Sequence, residues 1–233
     1  MSSTNRGAPR RAADFYPTPD AAVVACVRTL EIGPGAQILD PSVGNAAWPM
    51  ALHEVYGTTG VDCVDLYPER YPGLAYAIEH KIANLVHRGR FQRFDRPNSY
   101  DFVITNPPYA IAAEFLVQAM FVIRPGGRVG YLLRHGFPAT AGRSELTRRY
   151  PPRWDYLLQT RPSYTDDGKT DSVEYSFYVW EKGWTGRTGE DYLEWDDKDG
   201  ARAAACFADV QRIRSRDWTY GVSGVAAYLP PRT

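Results

Sequence analysis

The architecture is announced by Ala36-Gln37-Ile38-Leu39-Asp40-Pro41-Ser42-Val43-Gly44-Asn45-Ala46. A short, mostly apolar run ends on an aspartate and passes into a loop containing proline and glycine, the pattern of a buried strand delivering the chain to a turn. Gly33-Pro34-Gly35 isolates this strand from what precedes it. Upstream, Thr18 and Pro19 stand before an apolar run, as an N-cap and a first-turn proline would, and predict a helix over 19–30. Downstream, helical patterns over 46–56, 74–86 and 112–123 alternate with strand patterns over 59–64, 91–94, 100–105 and 128–133, the last helix being stopped by Pro125-Gly126-Gly127. Such alternation implies right-handed βαβ units, a mostly parallel sheet, and ligands at the carboxyl ends of its strands. Two more strands are expected over 154–159 and 172–180; the second alternates apolar with polar or small residues and suits an antiparallel strand near an edge. Beyond 182 the pattern weakens into an acidic stretch around 190–199 and a helix near 201–213.

With 233 residues the chain has room for one well-filled α/β domain, placed here at 14–185. A basic, aperiodic segment at 1–13 reads as a flexible arm, and 186–233 as a C-terminal extension. No apolar run approaches the roughly 20 residues that span a bilayer, and the first residues lack the apolar centre of a secretory signal, so a soluble, cytoplasmic protein is expected. Cys26, Cys63 and Cys206 lie far apart with no CxxC pair, which points to neither a disulfide framework nor a zinc site. The 27 Lys and Arg balance the 27 Asp and Glu, so no overall basic excess advertises a nucleic acid. Locally, Arg124, Arg128, Arg134, Arg143, Arg148, Arg149, Arg153 and Arg161 face only Glu145 and Asp155, either a phosphate-binding surface or a solvated helix face.

Asn106-Pro107-Pro108-Tyr109 follows the 100–105 strand directly. Both prolines lack N–H, and the second restricts the first to an extended backbone, so the turn presents carbonyls without competing donors. The Asn106 side-chain oxygen and the Pro107 carbonyl suit the two hydrogens of an –NH₂ group. Accepting both favours charge development on a nitrogen whose lone pair is otherwise delocalised, and aims it at an electrophile. Tyr109 adds an aromatic face for a planar substrate. Asn-Pro is also a common turn initiator, so the flanking elements carry the weight. Asp65, after the 59–64 strand, sits where a carboxylate accepts the ribose hydroxyls of a nucleoside cofactor; Asp62 is the competing candidate, and a helix cap the alternative for either.

In this order the segments resemble the amino-methyltransferases, a family that includes the DNA N6-adenine methyltransferases. Asn106, Pro107, Pro108 and Tyr109 match its catalytic loop. Asp40, Pro41 and Gly44 match its first cofactor motif, where the family usually has a second glycine and this chain has Ala46. Asp14-Phe15-Tyr16-Pro17-Thr18-Pro19 resembles the segment that closes over the cofactor's amino-acid end, with Phe15, Tyr16 and Thr18 as contacts. Asp95 resembles the acid that recognises the cofactor's adenine amine. In Arg161-Pro162-Ser163-Tyr164-Thr165, Tyr164 stands where the family often places an aromatic against the flipped base, with Arg161 beside it. The resemblance implies a Rossmann-like S-adenosylmethionine-dependent methyltransferase fold, a seven-stranded mostly parallel sheet with an antiparallel strand near the edge. It also implies S-adenosylmethionine as cofactor, DNA as partner, no metal, and direct methyl transfer to adenine N6 after base flipping. The motif order favours the DNA-acting branch, and the absence of room for a large target-recognition domain makes the layout similar to stand-alone phage and prophage enzymes. Another conjugated amine (an RNA base, cytosine N4 or protein glutamine) and a non-catalytic nucleic-acid-binding role are the alternatives.

Overall fold

The computed structural model describes residues 18–160, 162 and 173–195. In chain order its elements are α1 (Asp20–Arg28), β1 (Ile38–Asp40), α2 (Ala47–Tyr56), β2 (Val61–Asp65), α3 (Pro72–Glu79), β3 (Ala83–Arg88), β4 (Tyr100–Thr105), α4 (Ala112–Val122), β5 (Ile123–Arg134), α5 (Ser144–Arg149), β6 (Trp154–Leu158), β7 (Tyr175–Glu181) and β8 (Gly189–Leu193). They form one sheet in the order β3-β2-β1-β4-β5-β7-β6-β8, in which β7 alone runs against its neighbours. The chain works outward from β1 to β3, then returns to lay β4 on the other side of β1. That reversal opens a crevice between the loops that follow β1 and β4, the switch point where open α/β sheets take their ligands.

The sheet is covered on both faces, because alternate residues of each strand point to opposite sides. On β5, Leu132 joins the layer formed with α1, α2 and α3, whereas Tyr131 and Leu133 join the layer formed with α4. Gly130 leaves space for the Phe177 ring, since a Cβ there would lie 2.5 Å from it, and that ring stacks on Trp48 of α2 at 5.8 Å. The helix α1 is held by a continuous buried run from Ala21 to Val27.

Several elements differ from the sequence reading, each for a local reason. The helix expected to reach residue 86 stops at Glu79, where Lys81 turns into the left-handed region (φ 59°), and the chain then enters β3. Leu74, Ala77, Ile78 and Ile82 keep a helical spacing across that boundary, which conceals it. Phe91–Arg93, read as a strand, is a single 3₁₀ turn, and Phe91 packs on Phe115 instead of joining the sheet. Pro125-Gly126-Gly127 does not follow the helix end but lies inside β5. There the pairing with β4 jumps from Tyr100↔Ile123 to Phe102↔Arg128, and Gly126 adopts φ 76°. The sheet has eight strands, not seven, because β8 lies in the stretch read as merely acidic. The antiparallel strand expected near the edge is present as β7, between β5 and β6. The arm at 1–13 and the helix near 201–213 lie outside the described residues. Among the described residues no helix is long and apolar enough to cross a membrane. Cys26 and Cys63 are buried free thiols, their pKa pushed up by desolvation, and Cys206 lies outside the described residues.

Candidate functional site

A cleft of about 520 Å³ opens at the switch point, within the size range of small-molecule and cofactor pockets. One wall is the loop after β1. Its conformation is fixed by backbone bonds: Ser42 N–H donates to Asp40 Oδ1 (3.1 Å), Val43 N–H to the Val64 carbonyl (3.2 Å) and Ala46 N–H to the Val43 carbonyl (2.9 Å). Gly44 has φ 48° and Ala46 φ 63°, so Ala46 holds the left-handed conformation that a glycine takes without penalty. For an L-residue this conformation costs roughly 1–2 kcal/mol, and the full burial of Ala46 keeps it in place. The loop is tied to α3 as well: Gly73 N–H donates to Asn45 Oδ1 at 2.7 Å, and a Cβ on Gly73 would lie 2.4 Å from the Asn45 carbonyl oxygen.

Two carboxylates stand at the floor and side of this wall. Asp40 is 1% exposed. Desolvation pushes its pKa up to about 7, tempered by the nearby Thr105 hydroxyl and the Ser42 N–H and reinforced by the charge of Asp65. Its Oδ2 and the Thr105 Oγ1 are both buried without a hydrogen bond of normal geometry among the described residues. Asp65 lines the cleft and accepts from Gly44 N–H (3.1 Å, Oδ2) and Tyr67 N–H (2.8 Å, Oδ1), and burial raises its pKa. Asp62, the competing candidate, accepts from the Tyr100 hydroxyl at 2.8 Å and does not line the cleft. Beyond Asp65 the rim carries Tyr67, with the Arg70 guanidinium 4.2 Å from its ring centroid, and Tyr71, whose hydroxyl burial pushes up to about 12 and so keeps neutral.

The opposite wall is Asn106, Pro107, Pro108 and Tyr109, directly after β4. The Pro108 carbonyl accepts from Ile111 N–H at 3.1 Å, closing a 3₁₀ turn that begins at Tyr109. The Tyr109 ring touches both core layers, lies 6.1 Å from the Tyr175 ring, and has the Arg134 guanidinium 5.7 Å from its centroid. Asn106 Nδ2 donates to Thr18 Oγ1 at 2.9 Å. Thr18 therefore does not cap α1: Pro19 occupies the N-cap position and no side chain caps the helix.

The structure thus brings Thr18, Pro41, Gly44, Asp65 and the four residues 106–109 to one cleft, with Asp40 buried beneath it. Asp95 is not among them. It is exposed, seven residues beyond the end of β3, whereas Gly89, Arg90, Phe91 and Gln92 come directly off that strand's carboxyl end and line the cleft. Reading 91–94 as the strand placed the end too late. Gln92, whose amide donates to Glu114 at 3.1 Å, was recognisable only once β3 was placed at 83–88. Phe15, Tyr16, Arg161 and Tyr164 lie outside the described residues. The arginine-rich stretch divides: Arg124 pairs with Asp101 (2.9 Å), Arg128 with Glu31 and Glu181, and Arg153 with Glu181, all at the amino-terminal end of β5 or beside it. Arg134 ends β5 with its guanidinium near the Tyr109 ring of the cleft wall, and Arg143, in the turn before α5, lies 4.6 Å from the Phe137 ring centroid. Among the described residues no group of three or more His, Cys, Asp or Glu is placed to hold a metal ion.

No protein-family model matches the sequence, and no curated protein sequence is measurably similar to it. Solved structures are similar in fold. A predicted O-methyltransferase from Agrobacterium tumefaciens superimposes with a TM-score of 0.58 at 16% identity, over 78% of this chain and 96% of its own. A Listeria monocytogenes protein described as a class I S-adenosylmethionine-dependent methyltransferase gives 0.61 at 13% identity, over 85% and 72%. The M protein of the type I restriction enzyme EcoKI gives 0.56 at 16% identity, over 72% of this chain and 44% of its own. The chain therefore has the Rossmann-like α/β methyltransferase fold, with a mostly parallel sheet and an antiparallel strand near one edge.

Proposed function

We propose that this chain is an S-adenosylmethionine-dependent methyltransferase that acts on an exocyclic amine, the N6 of adenine in DNA. The observation that carries the reading is the placement of Asn106 at the carboxyl end of β4. It faces a cleft whose other wall is a left-handed loop backed by Asp40 and Asp65.

The residues present fit the cofactor. Gly44 lines the cleft in the left-handed region and lets backbone come close to a ligand, as a cradle does. Asp65 offers acceptors for ribose hydroxyls, and its carboxylate on the cleft suits a ligand carrying an ammonium and a sulfonium. When bound, the cofactor supplies an electrophilic methyl group: the amine lone pair forms the new N–C bond, the C–S pair stays on sulfur as a thioether, and the ammonium proton leaves to water. The chain's part is positioning. Asn106 Oδ1 and the Pro107 carbonyl accept the amine hydrogens, Tyr109 offers its ring to the base, and the apolar side chains Phe91 and Phe115 narrow the cleft against water. DNA as substrate is supported by the motif order, by Arg134 next to the Tyr109 ring, and by the fold shared with a restriction-enzyme M protein.

Replacing Asn106 with Ala is expected to lower methyl transfer by roughly 100-fold or more, the scale of losing one preorganised transition-state contact, with cofactor affinity little changed. Transfer of labelled methyl to DNA, with calorimetry of cofactor binding, measures both. Wild-type turnover by the Asn106→Ala variant would overturn the assignment. Mass spectrometry of nucleosides from treated DNA is expected to show N6-methyladenine; label entering only RNA or protein would move the substrate to another conjugated amine.

A further inference from the structure

We infer that Thr18 is a positioning residue for the Asn106 amide, fixing which end of that amide meets the substrate. The inference rests on the function proposed above. An asparagine side chain presents an acceptor at one end and two donors at the other, in nearly the same shape. With Oδ1 toward the substrate, Asn106 accepts from an amine; with Nδ2 there, it sets donor against donor. The Asn-Pro-Pro-Tyr turn fixes the backbone but leaves this choice open, so a further contact has to make it.

Thr18 makes it from the far side of the chain, 88 residues away in sequence, through the 2.9 Å bond from Nδ2 to Oγ1. Its hydroxyl is not spent on the helix, because α1 has no side-chain cap. Its backbone is stiff: a following proline confines Thr18 to extended conformations, and α1, two residues on, is anchored by its buried run. A hydroxyl can donate as well as accept, so the bond alone does not choose the orientation. In the structure it is Nδ2 that meets Thr18, and Asp20, two residues on, also lines the cleft; a carboxylate near Thr18 favours the donor end of the amide on that side. Both features turn Nδ2 toward Thr18 and leave Oδ1 for the substrate.

The test compares Thr18→Val, which keeps the shape and removes the hydroxyl, with Thr18→Ser, which restores it. Five quantities are read: kcat and KM for adenine-containing duplex DNA, cofactor affinity by calorimetry, melting temperature, and the Asn106 side-chain amide resonances of ¹⁵N-asparagine-labelled protein. Thr18→Val is expected to lower kcat by roughly 10- to 100-fold, the effect of a misplaced reactive contact. At saturating cofactor the kcat loss should remain, with DNA KM within about threefold, the melting temperature near wild type and the Asn106 amide signals shifted; Thr18→Ser should return kcat to within about threefold. A Thr18→Val enzyme with wild-type kcat, an Asn106 resonance that does not move, or a kcat loss that saturating cofactor restores would overturn the inference. If wild-type protein transfers no methyl to DNA, it is the proposed function that fails. The amide resonance then still decides the role of Thr18, because it needs no turnover.

Discussion

Asp40 sets the pH behaviour of the apoprotein. Its carboxyl, raised by burial to about 7 from the ordinary 3.8, keeps a proton in the folded chain that the unfolded chain has already released. Between about pH 4 and pH 7 the native state therefore binds more protons, and stability falls as pH rises through that window. Asp40→Asn is expected to remove this slope: near wild-type stability at pH 4, and a gain of a few kcal/mol at pH 8, at roughly 1.4 kcal/mol per pH unit. The new amide also has a partner in the nearby Thr105 hydroxyl. Urea midpoints across a pH series measure it, and the raised Asp155, present in both proteins and not coupled to Asp40, cancels in the difference. At this scale the sequence was most legible where chemistry and chain position coincide. Asn106 and Asp65 each follow a strand, so a correct strand places them. Asp95 went astray with its strand, and the bond between Thr18 and Asn106 spans 88 residues, a distance that no local pattern reports.

The loop after β1 and the first turn of α3 behave as one unit, because they are joined where neither has slack. Gly73→Ala puts a methyl group against the Asn45 carbonyl oxygen, a backbone atom that can retreat only by moving the loop. The expected result is a loss of cofactor affinity of roughly tenfold or more, with destabilisation of about 1–3 kcal/mol as in other overpacked sites. Calorimetry and chemical denaturation measure the two effects. Elements were read well where one period dominates: α1, α2, β4 and α4 are recovered to within a few residues. Reading failed where period and composition mislead. The helical spacing of Leu74, Ala77, Ile78 and Ile82 runs across a turn into β3, and β8 is a mostly exposed edge strand whose Glu190 and Asp191 serve solvent. Edge strands often carry charge for that reason.

Over the whole molecule, positive and negative charges cancel, so any attraction for a polyanion depends on their arrangement. The arginines sort by end of the sheet. Those at the amino-terminal end are held by carboxylates, while Arg134, at the carboxyl end of β5, and Arg143, after it, stack on the Tyr109 and Phe137 rings. Arg134→Ala or Arg143→Ala is expected to weaken duplex DNA binding and to reduce its salt dependence by about one phosphate contact each. Arg124→Ala should leave both unchanged. Fluorescence anisotropy titrations at several salt concentrations distinguish these outcomes, and equal effects from all three would remove the assigned binding face.

The order of the strands has one more consequence. Everything that backs the cofactor wall, from Thr18 to Gln92, precedes the exposed turn at 95–98, and everything on the acceptor wall follows it. A break in that turn would sever the cleft along its midline, leaving one fragment with the donor's seat and the other with the acceptor's. Methyl transfer would then become a signal that two separately made polypeptides have found each other, which makes this sheet a natural frame for a split reporter.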